Sequence, residues 1–490
     1  KDILTIVRIL IHISALQKGF LMTLANLLSV KNKIFFIVRD KNVETLLKKK
    51  LSKKNTKKIY IEENVNNNIE EDYKRINKNT LIKEAIFYEK KYGIDISFFL
   101  GKDRALGRGY LLNVDRYPNV IRASWDKEKK IFYFLNILKN IEKIILISKS
   151  KIIFSVSRSY FISIIAKKYK IKYLTLTAAR IGNRFFWCDN DSNTSLSLIK
   201  KIKYSNSLKN INKLLKKQHK FAQIIESKQL HAKIKYNLTN VFFEIYLQIL
   251  KEFKQFVKGS RRKFSYNLLG WVPVKVRKYF SYKYVTRNSK FPKDFKKNKF
   301  VYIPLNLEPE IALLGISPEF NNTLEMITWV SKSLPADYSI VIKEQPFAFG
   351  TRSRWFYKTL IQMPNVYLAN PKIHPWDWIK NSFCVATITG SAAFEAVHFK
   401  KPVLSYGIHQ IVNFLPSVKY CSNYIETKNN LKFLIKNKKK LPLDRAKKIL
   451  ISSIYETSFE LKEYIQSYYD VKLENQSAKI AINYIDDLND

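Results

Sequence analysis

The chain has 490 residues, too many for one hydrophobic core, so two or three domains of roughly 100 to 200 residues each are expected. With 46% hydrophobic and 14% aromatic residues it is not a disordered chain, and no run approaches the roughly 18 uncharged apolar residues of a membrane-spanning helix. The net charge of +48 invites phosphate-bearing partners, but only 17 of the 88 basic residues are arginine, and the surplus of Lys, Ile and Asn has the character of an AT-rich coding sequence; nucleic acid is not expected as a partner, while an anionic membrane surface stays open.

Cysteine occurs only at 188, 384 and 421, without C-x-x-C spacing, so neither a disulfide framework nor a zinc site is indicated and a reducing cytoplasm fits. The chain begins at Lys1 with no methionine, and no small-residue cleavage site follows an apolar core; a processed or truncated start without a secretory signal is expected.

In chain order, short apolar runs with the length of buried parallel strands alternate with amphipathic stretches. Ile34 to Val38 precedes a helical Asn42 to Leu51 and a strand-like Ile59 to Ile61; later, Lys151 to Val156 leads into helix Tyr160 to Tyr169 and strand Ile171 to Thr177. Residues 1–190 therefore read as one parallel-sheet α/β domain, which the resemblance described below implies to be the acceptor-side domain. Residues 191–298 turn Lys-rich and helical, as an insertion or linker. Residues 299–425 form a second α/β domain, with strands at Phe300 to Pro304, Tyr338 to Lys343, Val366 to Leu368, Phe383 to Ile388 and Pro402 to Tyr406. Between them lie helices at Thr323 to Leu334, Arg354 to Gln362, Pro375 to Asn381 and Ala392 to Phe399. Residues 426–490 carry a helical pattern suited to packing back across both domains.

In an open parallel sheet, ligands sit beyond the carboxyl ends of the strands. Three such ends stand out: Pro304-Leu305-Asn306, Lys343-Glu344-Gln345-Pro346, and Thr387-Ile388-Thr389-Gly390-Ser391-Ala392 with Glu395. The last runs a strand into small residues and then a helix, so its free backbone N–H groups can hold phosphate; an ordinary turn with Ser391 as the N-cap has the same local pattern. Glu395 is either a carboxylate favoured by the helix dipole or an acceptor for ribose hydroxyls, and Lys343 either a solvated strand end or the cation of a donor phosphate.

Together these segments resemble the bacterial capsule polysaccharide biosynthesis proteins, whose members include Kdo-type transferases of the two-domain GT-B fold. The resemblance rests on Pro304-Leu305, Lys343-Glu344-Gln345-Pro346, Pro364-Asn365-Val366, Thr387-Ile388-Thr389-Gly390-Ser391 with Glu395-Ala396, and Lys401-Pro402-Val403, in that order. It implies two Rossmann-like parallel-sheet domains facing each other, with a helical insertion. It further implies an inverting, metal-independent glycosyltransferase without a cofactor. Its donor would be a nucleotide sugar bound by Asn306, Lys343, Glu344, Gln345, Pro346, Thr389, Gly390, Ser391, Ala392 and Glu395. Its acceptor would be a growing polysaccharide or its lipid carrier, and its place the cytoplasm, peripheral on the inner face of the inner membrane. Gln345 departs from the family's His and cannot become a cation, which leaves the donor open: a cytidine monophosphate sugar first, a uridine or guanosine diphosphate sugar second.

In the N-terminal half the Gly-flexed stretch Gly101 to Tyr110, followed by Asp115-Arg116, is the suggestive loop. Inverting transfer needs a base for the acceptor hydroxyl, and Asp103 and Asp115 are the candidates, against an Asp-Arg surface pair as the plain reading. Arg104, Arg108, Arg158 and Arg180 are candidates for holding an acidic acceptor. Asp189-Asn190-Asp191 has the form of a metal-binding D-x-D but opens a linker, where turn residues are common. No Walker loop or G-x-G-x-x-G occurs. Two other readings remain: an isomerase like the nucleotide-sugar 2-epimerases, or a non-catalytic scaffold of the polysaccharide machinery.

Overall fold

The computed structural model describes residues 7–13, 18–38, 41–50, 58–61, 69–104, 106–107, 124–156, 158–204, 237–257, 271–297, 299–462 and 471–486. Its strands are β1 (Arg8–Ile13), β2 (Lys33–Val38), β3 (Ile59–Ile61), β4 (Ile152–Ser155), β5 (Lys172–Ala178), β6 (Arg184–Cys188), β7 (Ser289–Lys290), β8 (Phe300–Pro304), β9 (Ser339–Lys343), β10 (Val366–Ala369), β11 (Cys384–Thr387), β12 (Val403–Ser405), β13 (Val418–Tyr420) and β14 (Phe459–Glu460). They form two seven-stranded sheets, ordered β14-β6-β5-β4-β1-β2-β3 and β13-β12-β11-β8-β9-β10-β7.

Every neighbouring pair in the second sheet is parallel. Its chain winds outward from β8 through β9 to β10, then returns to the other side of β8 with β11, β12 and β13. The first sheet does the same around β1: β2 and β3 lie on one side, β4 and β5 on the other, and β6 and β14 add an antiparallel edge. Each sheet therefore has a topological switch point, between β1 and β4 and between β8 and β11, where a crevice opens at the strand ends.

Burial on both faces explains the apolar runs: Phe300, Val301, Tyr302 and Ile303 of β8 are all buried, each such side chain adding roughly 1.5 to 3 kcal/mol. Several helices between strands start on side-chain caps; Ser353 accepts from Phe356 N, and His374 accepts from Trp376 N with Pro375 at the first helical position.

Two features differ from the expected pattern of elements. Segment 191–298 is helical at Leu196–Tyr204, Leu238–Val257 and Trp271–Arg287, but it also contributes β7, an edge strand held by β10. The tail is not wholly helical, because β14 pairs antiparallel with β6 in the first sheet. The tail does cross both domains: helix Leu443–Thr457 packs on helices Leu196–Tyr204 and Ser391–His398, and helix Val471–Asp486 packs on helix Lys18–Leu28. Arg184 of β6 donates to Ser458 Oγ at 2.7 Å and to Tyr455 O at 3.2 Å, fixing the tail where it returns. One core cluster mixes Ile181, Phe186 and Leu198 with Phe300, Val385 and Ala396, so the two halves share buried apolar surface.

Candidate active site

The carboxyl ends of β8, β9 and β11 open into a cavity of about 330 Å³. All ten residues expected at the donor, Asn306, Lys343, Glu344, Gln345, Pro346, Thr389, Gly390, Ser391, Ala392 and Glu395, line it, joined by Glu310, His374 and Trp376.

The turn after β11 is the most constrained part. Gly390 stands at φ 118° and ψ 179°, a conformation open essentially to glycine alone, and it is the N-cap of helix Ser391–His398. Ser391 is therefore the first helical residue rather than the cap, and its neighbourhood presents backbone N–H groups with no side-chain cap on them. Asn306 braces the turn from β8, its Nδ2 donating to Thr389 O at 3.0 Å and Thr389 Oγ1 at 3.1 Å; Thr387 Oγ1 donates to Thr389 O at 2.8 Å. Gln410 supports it from below through Ile388 O at 2.7 Å.

Glu395 lies beyond the first turn of its helix, so the dipole does not explain it. It is buried, accepts from Trp376 Nε1 at 3.1 Å, and burial raises its pKa. Lys343 is not a solvated strand end either: it is 4% exposed, its Nζ donates to Asn370 O at 3.3 Å and Pro371 O at 2.9 Å, and burial pulls its pKa down to about 7. Its charge at neutral pH is thus adjustable. Gln345 is exposed at the rim, and its backbone N donates to Glu344 Oε1 at 2.7 Å.

Beneath this wall lies a buried ionic cluster that the sequence did not announce. Arg352, 1% exposed, donates through Nη1 to Glu344 Oε1 at 2.6 Å and through Nη2 to the carbonyl of Asn306, and lies 3.5 Å from Glu308 Oε2. Tyr357 OH donates to Glu344 Oε2 at 2.8 Å, and Thr323 donates to Glu308. Glu344 is consequently a brace: its carboxylate joins β9 to the loop after β8 and is spent on protein partners. The stretch Thr351-Arg352-Ser353-Arg354 is polar throughout and reads as an exposed turn, so no sequence signal marked Arg352.

Next to this cavity, Arg180 of the N-terminal domain and Gly390 line a smaller one between the two halves. Arg158 follows β4, Arg180 follows β5 at a positive φ of 64°, and Arg104 follows helix Ile96–Lys102. All three act electrostatically on Glu310, the N-cap residue of helix Ile311–Ile316, whose side chain makes no capping bond. Burial raises the Glu310 pKa, and Arg180, Arg104 and Arg158 oppose that rise, in that order. Arg158 Nη1 is shut off from solvent with no partner among the described residues, and a Cβ on Gly315 across the cleft would stand 3.5 Å from it. Three of the four acceptor candidates thus converge; Arg108 lies outside the described residues, as does Asp115.

Asp103 is engaged elsewhere. It caps the end of its helix, accepting from Leu106 N at 2.9 Å on Oδ1 and Tyr160 OH at 2.8 Å on Oδ2, and it does not line the cavity. Glu310 went unmarked because Glu-Pro-Glu reads locally as a loop; its setting exists only once the N-terminal arginines face it. Asp189 accepts from Leu196 N at 2.8 Å, while Asp191 pairs with Lys102 at 2.6 Å, so the two carboxylates serve separate partners. Among the described residues no group of three or more His, Cys, Asp or Glu is placed to share a metal ion.

Two Rossmann-ordered domains whose strand ends meet across such a cleft define a GT-B-like α/β protein. Residues 203–410 match the family model described as capsule polysaccharide biosynthesis protein, which bears out the resemblance read from the strand-end motifs. No curated protein matches the sequence. Among solved structures, the β-Kdo 2,7 transferase KpsC of Thermosulfurimonas dismutans is 12% identical, with 72% of this chain and 90% of that chain covered and a TM-score of 0.33. The UDP-GlcNAc 2-epimerase of Neisseria meningitidis, bound to UDP-GlcNAc, is also 12% identical, over 98% of this chain and 99% of that one, with a TM-score of 0.29. MnaA of S. aureus in complex with UDP is 10% identical, over 99% and 97%, with a TM-score of 0.27.

Proposed function

We propose that the protein is a glycosyltransferase of surface polysaccharide assembly, transferring a sugar from a nucleotide-sugar donor to a polysaccharide or lipid-linked acceptor. The observation that carries this reading is the pairing of a phosphate-shaped turn at Gly390–Ser391 with a carboxyl group, Glu310, in the same cavity and under three arginines of the opposite domain. Donor phosphate sits on the N–H groups of helix Ser391–His398, and its charge draws a proton onto Lys343, so leaving-group charge is met where it develops. Glu310 takes the proton of the acceptor hydroxyl as that oxygen attacks the anomeric carbon from the opposite face. The bond to donor phosphate breaks, and the anomeric configuration inverts. Arg158 and Arg180 hold the acceptor. Gln345, at the rim, contacts the nucleoside, with cytidine preferred to uridine and guanosine.

The test is nucleotide release from candidate donors with and without acceptor saccharide. Release that requires acceptor, and that falls by about 10²- to 10⁴-fold in Glu310→Gln while nucleotide affinity holds, supports the proposal. Conversion of the donor sugar without acceptor would move the protein to the isomerases, and an unchanged rate in Glu310→Gln would remove that residue from the chemistry.

A further inference from the structure

Helix Leu238–Val257 packs on helix Trp271–Arg287 through Val241 and through Glu244, which pairs with Lys275 at 2.8 Å and Lys278 at 3.2 Å. Its other face is apolar and open. Leu238, Phe242, Tyr246, Ile249, Phe253 and Val257 recur at helical spacing within an arc of about 100°, and Phe242, Phe253 and Val257 are 68, 63 and 67% exposed. A run of large apolar side chains this long on one face of a surface helix marks a docking face.

Beside it, helices Trp271–Arg287 and Arg354–Gln362 enclose a second cavity, of about 320 Å³. Arg277, Lys283, Arg287 and Arg354 line it with no carboxylate among them, and Tyr284 carries Arg354 over its ring at 4.9 Å. Phe280, in the lining of this cavity, is 60% exposed. The two features adjoin: apolar side chains on one helix, and on its packing partner a cationic cavity the size of a phosphate-bearing headgroup.

We propose that this two-helix element docks the protein on an anionic phospholipid bilayer, the aromatic stripe entering the boundary between headgroups and acyl chains while the cavity takes a lipid phosphate. The charges choose this occupant. Self-association through the same patch would set the cations of one copy against those of the next, on a chain already carrying +48, whereas an anionic leaflet complements both features at once. Among the described residues no helix is long and apolar enough to span a membrane, so contact of this kind is interfacial.

Co-sedimentation of the full chain with vesicles tests the idea, using phosphatidylcholine alone and phosphatidylcholine with about one third phosphatidylglycerol. Binding to the anionic vesicles and not to the neutral ones is expected. It should fall by about tenfold or more in Phe242→Gln/Phe253→Gln, and similarly in Lys283→Glu/Arg287→Glu, with thermal unfolding and nucleotide affinity unchanged because all four residues are exposed and lie outside the donor cavity. Equal binding of parent and both variants to anionic vesicles would overturn the proposal. So would saturation by inorganic phosphate without vesicle binding, or a parent dimer that Phe242→Gln/Phe253→Gln splits; these outcomes assign the patch to a soluble anion or to a second copy.

Discussion

The two sides of the cleft arrange their polar groups by opposite means. The C-terminal wall uses backbone: a glycine-only turn, a helix N-terminus, and a buried Glu308–Arg352–Glu344 cluster that holds the strand-end loops in register. The N-terminal wall uses side chains, with Arg104, Arg158 and Arg180 reaching across toward Glu310 and Arg158 leaving a buried N–H group unpartnered. The first wall ties most of its buried charge into ion pairs and hydrogen bonds, with Glu308 Oε2 and Arg352 Nε left without a hydrogen bond among the described residues, so its charges chiefly stabilise the fold. The second leaves a buried N–H group of Arg158 without a hydrogen bond among the described residues, which costs stability.

Arg352→Met should make the largest difference. It strands two buried carboxylates, and a loss of about 3 to 5 kcal/mol in unfolding free energy is expected by urea titration, partly recovered when Glu344→Gln is added. A loss below roughly 1 kcal/mol would show that the cluster is hydrated and would erase the contrast between the walls.

Lys343 sharpens the contrast through pH. Its folded pKa of about 7 lies below the unfolded value of 10.5, so between those values the unfolded chain holds the extra proton and stability rises with pH. Relative to Lys343→Met, the parent should gain on the order of a few kcal/mol from about pH 7 to about pH 10, flattening outside that window. Nucleotide binding near pH 8 should take up a proton, visible as a dependence of calorimetric heat on the buffer's ionisation enthalpy. No uptake would mean that the ammonium of Lys343 does not answer to phosphate.

Arg158→Met should have the smallest effect on stability, within about 1 kcal/mol and in the favourable direction, because it removes a guanidinium that is difficult to bury. Acceptor turnover should nonetheless fall, with the loss in KM for acceptor and not in donor affinity. Destabilisation comparable to that of Arg352→Met would place both walls in the structural class.

Much of the second domain was legible because its information is local. The five strands and four helices expected between Phe300 and Tyr406 occur within a residue or two, and helices Arg354–Gln362 and Pro375–Asn381 have the expected bounds. Short apolar runs closed by Pro, Asn and Gly fix where a parallel strand stops, and the polar residues after three stops met in one cavity because strands of one sheet share a direction. Less was legible in the first domain. The central strand β1 and the largely buried helix Lys127–Ser148 carry apolar residues without a sharp period, and periodicity does not distinguish strand from helix when every face is buried.

The two α/β units, the strand-end loops that line the cavity and the family resemblance all follow from residues close together along the chain. What each charge does was settled by long-range packing. Glu344 and Asp103 became braces when Arg352 and Tyr160 came to meet them, and Lys343 had its charge loosened by burial. Glu310 became the candidate base when three arginines from more than a hundred residues earlier arrived opposite it. The state of an ionisable group is set by the solvent it loses and the partners it gains, and both are consequences of long-range packing that no local pattern encodes.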